Sequence, residues 1–233
     1  GHLRTAIIGD AIKRMLQHLG HQVESDTHMG DWGTQFGYLI YAYKKYGDFK
    51  IVSKDPINEL NRLYVKVNEE AQDDKSVHEQ AKQEFVNLEK GDGENRKIWK
   101  QFVDWSLEKF SGINEMMDIL PFDHHWPESF YEDKMPKVVA TLKNKHLLKR
   151  SEGAWIVDLA DQKLGVAIII KSDGGTTYLL RDLATFLFAK QHGFKKHLYV
   201  VDTRQSLHYK QLFEILSQMG EFEPGNGIHI DYG

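Results

Sequence analysis

The sequence predicts an α/β fold: a doubly wound parallel sheet interrupted by a largely helical insertion. Three observations lead there. Strand and helix patterns alternate at both ends of the chain, the strand-sized runs are mostly apolar, and a long charge-rich stretch with helical character separates the two ends.

The elements follow in order. Residues 3–19 set Leu3, Ile7, Ala11, Met15, Leu16 and Leu19 at helical spacing with Gly20 as a stop, which predicts a helix with that row facing a core. Residues 21–29 read as a strand, GDWG at 30–33 as a turn whose glycines are free to take positive φ, and Thr34 as the cap of a second helix reaching about Tyr46. Residues 1–54 are read as the first half of the sheet domain, and a charge-rich helical stretch follows from 55 to about 111, broken at GDGEN and again near Pro121. Within 134–150, Lys134, Lys137, Lys143, Lys145, Lys149 and Arg150 lie on an expected amphipathic helix with Val138, Val139, Leu142 and Leu147 inward, which closes an insertion of residues 55–150. A solvated helix face explains that basic row as well as a polyanion site does.

Residues 151–233 hold the hairpin and the second half of the sheet. AWIVDL (154–159) and GVAIIIK (165–171) read as two strands, SDGG as a turn, 177–180 as a short strand and 182–192 as a helix. HLYVVD (197–202) is then a strand, Ser206 caps a helix ending near Met219, and IHIDY (228–232) is a last strand.

Composition narrows the class. Hydrophobic residues make up 41% of the 233 and aromatics 12%, enough for a folded core. No apolar run approaches the roughly 18 residues of a membrane helix. With no Cys, disulfides, thiolate zinc sites and a cysteine nucleophile are excluded, and with no secretory signal the chain fits a cytoplasmic setting. A net charge of −4 gives no global attraction to nucleic acid, so any such partner needs a local basic patch, for which 134–150 is the candidate. His124 and His125 are adjacent, point in different directions and have no third ligand at a suitable spacing, so no metal site is expected.

Neither a GxGxxG fingerprint nor a GxxxxGK[ST] loop is present. What remains is the mouth of the first helix, where Gly1 and His2 offer free backbone N–H groups, the positive helix end and an imidazole to a phosphate. There GHLRTAIIGDAIKRMLQHLGH (1–21) resembles the second half of the HxGHLR element of class I arginyl-tRNA synthetases. DTHMGDWGTQFGYLI (26–40), ESFY (128–131), SEGAWIVDL (151–159), KSDGGTTYLLRDLA (171–184) and VVDTRQSLHYKQLFEIL (200–216) continue the resemblance in the family's order. The GH pair alone fits any class I synthetase or a related nucleotidyltransferase, and a non-catalytic interaction domain derived from a synthetase is a further alternative; the motifs together are specific to the arginine enzyme.

The resemblance implies a Rossmann-like catalytic domain that activates L-arginine with Mg-ATP and transfers it to tRNA(Arg). It implies Gly1 and His2 as the catalytic ATP-motif residues, Asp202 and His208 near the ribose or phosphates, and Tyr178, Asp182 and Gln205 around the arginine. The chemistry is apt: a guanidinium is planar, always charged and forked, so a carboxylate in an apolar setting such as Leu179, Leu180, Leu183 and Ala184 grips it well. Each residue also has a plainer role, Asp182 as a helix cap, Tyr178 as a core aromatic and Gln205 as a loop residue. Asp31 and Gln35 in and after GDWG are further ligand candidates. Its abrupt start reads as a cut; the family's first ATP-motif His, its KMSKS-like loop and its anticodon-binding domain fall outside, and the fragment is expected to be inactive alone.

Overall fold

The computed structural model describes residues 2–233, and side chains from residue 3 onward. Packing divides the chain into two compact units, residues 1–25 with 130–233, and residues 26–129. These bounds differ from the segments 1–54, 55–150 and 151–233, because the helix after GDWG packs on the helices that follow it and not on a sheet.

The unit 26–129 is helical: α2 (Thr34–Tyr46), α3 (Phe49–Val52), α4 (Pro56–Asp73), α5 (Lys75–Glu89) and α6 (Gly93–Met116). Its core gathers Trp32, Ile40, Leu63, Val67, Leu88 and Phe102, all nearly without solvent contact. Trp32 meets Phe85 and Trp99 edge-on, with centroids 5.6 and 5.5 Å away, an arrangement that suits the ring quadrupole. Gly33 sits at φ 133°, which only glycine adopts readily, so the turn needs its glycine. At Gly37 a Cβ would lie 2.3 Å from the Ala81 carbonyl oxygen and 2.8 Å from the Phe85 Cβ, so α2 and α5 touch backbone to backbone there.

No strand forms at 21–29. The segment is irregular, with His28 at φ 39°, and makes a single parallel bridge, Asp26 to His124. With only Val23 and Met29 strongly apolar among HQVESDTHM, the segment has little to bury on a sheet face.

The other unit opens with α1 (His2–His18). The helix is as expected but its orientation is not: Leu3, Ile7, Met15 and Leu19 are exposed, whereas Lys13 is buried with Nζ donating to Ser25 Oγ at 2.9 Å. The basic stretch is also not one helix. α7 (Met135–Asn144) ends where His146 takes φ 57°, and Lys149 and Arg150 lie on β1 (Leu148–Ser151). β2 (Ala154–Leu159) and β3 (Gly165–Ile170) complete an antiparallel meander, as the hairpin pattern predicts. The free edge of β3 is covered by side chains: Thr177 Oγ1 donates to the Ile168 carbonyl at 2.8 Å and Gln211 Nε2 to that of Leu164 at 2.8 Å, which blunts an edge that would otherwise pair.

α8 (Tyr178–Gln191) begins four residues earlier than the predicted helix, displacing the short strand, because Thr177 caps it by accepting from the Leu180 N–H. β4 (His197–Asp202), α9 (Ser206–Gln218) and β5 (Gly227–Tyr232) then form a βαβ unit in which the two strands pair in parallel over their whole length. Among the described residues the parallel sheet has these two strands and the meander is separate, so the architecture is α/β with small sheets. No helix among them is long and apolar enough to cross a membrane.

Candidate active site

The strand-to-helix turn after β4 is built by Asp202. Its carboxylate accepts from the Arg204 backbone N–H at 2.9 Å and from Nε and Nη2 of the same guanidinium, each at 2.9 Å. These bonds favour the charged form, so the Arg204 side chain and backbone hold the Asp202 carboxyl down at about 2. Thr203 Oγ1 donates to Asp231 at 2.9 Å and ties the end of β4 to the end of β5. The carboxyl ends of parallel strands are where open α/β sheets take ligands.

From this turn α9 projects His208 to α8, where its Nε2 lies 2.5 Å from Asp182 Oδ2. The Asp182 side chain is 13% exposed and that of His208 22%. The residue expected beside arginine and the residue expected beside the nucleotide are thereby joined in one contact. Tyr178 and Asp182 share α8 four residues apart, which sets them on one helix face. Tyr178 is 59% exposed, with the Arg181 guanidinium 5.5 Å from its ring centre, so it is a surface aromatic and not a core one. Gln205 is exposed and its side chain forms no hydrogen bond among the described residues. Gly1, and the side chain of His2, lie outside the described residues.

Sequence reasoning missed the aromatic floor. Tyr209 is buried, 4.8 Å from Tyr199 and stacked on His229 at 4.7 Å, with His208 set edge-on to it at 5.1 Å. The Tyr199 hydroxyl is buried without a hydrogen-bond partner. Burial pushes both phenols well up, and the Asp182 charge pushes the same way, so both stay neutral. The available signal was period-two alternation along HLYVVD, which sets His197, Tyr199 and Val201 on one face. Beside this floor a cavity of about 310 Å³ is lined by Ser206, Tyr209, Lys210, Phe213, His229 and Asp231.

The two GDWG candidates have structural work in the helical unit. Asp31 is buried and accepts from the Ser129 N–H at 2.9 Å and its Oγ at 2.6 Å, while the Asp31 carbonyl accepts from Trp99 Nε1 at 2.7 Å. Gln35 donates to the Trp32 carbonyl at 3.0 Å. His124 stacks on Trp126, centroids 3.8 Å apart.

Comparison with known proteins identifies the family of the chain. The family described as tRNA synthetases class I (R), catalytic domain, matches residues 1–233. An "Arginine--tRNA ligase" of Lactococcus lactis subsp. cremoris is 47% identical over 234 aligned residues, covering all of this chain and 41% of the relative. Another, from Enterococcus faecalis, is 45% identical with the same coverage. Among solved structures, the arginyl-tRNA synthetase of Plasmodium falciparum superposes with a TM-score of 0.81 at 27% identity, over all of this chain and 40% of that one. The Thermus thermophilus arginyl-tRNA synthetase, at 20% identity and a TM-score of 0.69, shares the fold, again over all of this chain and 45% of its own. The chain spans about two fifths of the length of the curated relatives it matches.

Proposed function

The chain belongs to the class I (R) tRNA synthetases, within their catalytic domain, and from that premise we propose that it forms the arginine and ATP site of an arginine–tRNA ligase. In the reaction the arginine carboxylate attacks the α-phosphorus of Mg-ATP, the bond to pyrophosphate breaks, and arginyl-adenylate forms. The terminal ribose hydroxyl of tRNA(Arg) then attacks the carbonyl carbon and AMP leaves. Magnesium enters as the counter-ion of the nucleotide substrate. The βαβ unit from β4 to β5 serves as part of a Rossmann-like nucleotide site. The segments 1–54, 55–150 and 151–233 keep their proposed roles as first half, insertion and second half.

The observation that carries this is Asp182: a carboxylate largely withdrawn from water, on an apolar turn of α8, held by His208. A withdrawn carboxylate of this kind pairs strongly with a cation and disfavours a neutral side chain. Tyr178, one turn away, gives a flat wall for the guanidinium, and Gln205, free at the exit of β4, gives an amide to the backbone end of the amino acid. Asp202 and His208 flank the nucleotide, and Gly1 and His2 at the start of α1 supply donors to the phosphates as charge develops. Catalysis on these terms is positioning and charge stabilisation, with no covalent enzyme intermediate.

The test is arginine-dependent exchange of labelled pyrophosphate into ATP, by a polypeptide of the relatives' full length that carries this chain. Asp182→Ala is expected to lower kcat/KM for arginine by at least a hundredfold, about the 3 kcal/mol of a lost charged hydrogen bond. Citrulline should not be activated by the parent protein. Unchanged arginine kinetics in the variant would remove Asp182 from the site.

A further inference from the structure

The basic stretch at 134–150 carries no acidic residue, yet its six cations are not equivalent. Lys134 pairs with Asp133 at 2.8 Å and Lys149 with Asp158 at 3.2 Å. Lys137, Lys143, Lys145 and Arg150 are exposed and form no ion pair among the described residues. Two of these four converge on one aromatic ring. Lys143 Nζ, from the last turn of α7, and the Arg150 guanidinium, from β1, lie 4.9 and 5.2 Å from the ring centre of Trp155. Trp155 is half-buried on β2, in register with Arg150 across the β1 ladder.

The backbone that carries the ring connects to the candidate active site. Trp155 pairs with Ile170 of β3, and Ile170 bridges Thr176, two residues before Tyr178. Arg181 Nη2 donates to Thr176 Oγ1 at 3.4 Å, which fastens this corner to the helix that carries Asp182.

We propose that Trp155, with Lys143 and Arg150, is a stacking platform for the single-stranded end of an RNA. A flat ring accepts any base, and lysine and arginine ends within reach of the ring meet the phosphates on either side of it. A base landing on Trp155 displaces one of the two cations from the ring to the adjoining phosphate, so both favourable contacts survive. A lone basic face would take any polyanion; a tryptophan between the cations favours unpaired bases over duplex and over acidic protein. That the RNA is a tRNA acceptor end rests on the ligase assignment above, whereas the preference for single strands rests on the ring.

The 233-residue chain is titrated into a fluorescently labelled single-stranded RNA of about a dozen nucleotides, and anisotropy is read with neither arginine nor ATP present. Trp155→Ala should weaken binding tenfold or more, while Trp155→Phe, which keeps a stacking ring, stays within about threefold of the parent. Replacing Lys143 and Arg150 together by Gln should lower the salt slope by about 1.4, two phosphate contacts at roughly 0.7 each. Equal affinities of the Ala and Phe variants overturn the proposal, and so does displacement by polyglutamate as effective as by unlabelled RNA, which marks an acidic-protein surface. Because binding is read without arginine or ATP, a failure of this proposal shows as lost discrimination between the Ala and Phe variants, and a failure of the ligase assignment as absent pyrophosphate exchange by the parent protein.

Discussion

His197 shows how burial at one residue sets a pH dependence. It opens β4, its ring stacks on Phe186 at 4.4 Å, and its Nε2 is buried without a partner. Burial lowers its pKa from 6.5 to about 4, against a weaker opposing hydrogen bond to the Phe194 backbone. In the unfolded chain the imidazole binds its proton near 6.5, so the neutral folded form is favoured above that pH and loses ground as pH falls toward 4. Between pH 7 and 5 this amounts to up to about 2 kcal/mol. Urea unfolding at the two pH values should show that loss, and His197→Phe, which keeps the stack, should reduce it; an unchanged difference would assign the acid sensitivity to other groups. At this scale Asp182 was named through the family resemblance, whereas local pattern alone read it as a helix cap; that cap is Thr177, and Asp182 lies within α8 against His208. Tyr199 was not legible, because nothing in HLYVVD tells that its hydroxyl ends unpaired beneath Asp182.

Elements were legible where local rules agreed. The β2–β3 hairpin has apolar runs joined by a short polar loop, and α9 has a strand before it and a serine at its start. They failed where local signals competed. Thr177 can extend a strand or cap a helix, and the leucines after it decided for the cap. In α1 the predicted inward row is exposed except at Leu16, because Ile8 and Ile12 join Leu16 in an alternative apolar row beside the buried Lys13. Among the glycines of the described residues, Gly37 meets the closest neighbour. Helix propensity alone would make Gly37→Ala stabilising by about 1 kcal/mol. The backbone oxygen of Ala81 at 2.3 Å from the new methyl cannot move without separating α5 from α2, which costs about 2 to 4 kcal/mol. The clash wins, and thermal unfolding of the variant is expected to show a net loss of about 1 to 3 kcal/mol. A rise in melting temperature would show that the two helices part freely.

At the scale of the whole molecule, the division into two units has a consequence for folding. The helical unit is one continuous segment, 26–129, whereas the other is assembled from two separated stretches. The segment holds its own aromatic core around Trp32, Phe85, Trp99 and Phe102, and its ends are joined by Asp26, which accepts from the Trp126 N–H at 2.8 Å, and by Asp31, which accepts from Ser129. The charge-rich periodicity made a helical stretch legible here, but not the limits of the compact unit 26–129. They depend on backbone pairing across about a hundred residues, which local pattern does not encode. A continuous segment with a closed base and a packed core satisfies the conditions for independent folding. Residues 26–129 expressed alone should therefore give a helical circular dichroism spectrum and a single cooperative thermal transition. Asp31→Ala, which leaves two part-buried Ser129 donors without this carboxylate, should lower the stability of that unit by about 1 to 2 kcal/mol. A non-cooperative melt of the parent segment would mean that its helices hold together only within the whole chain.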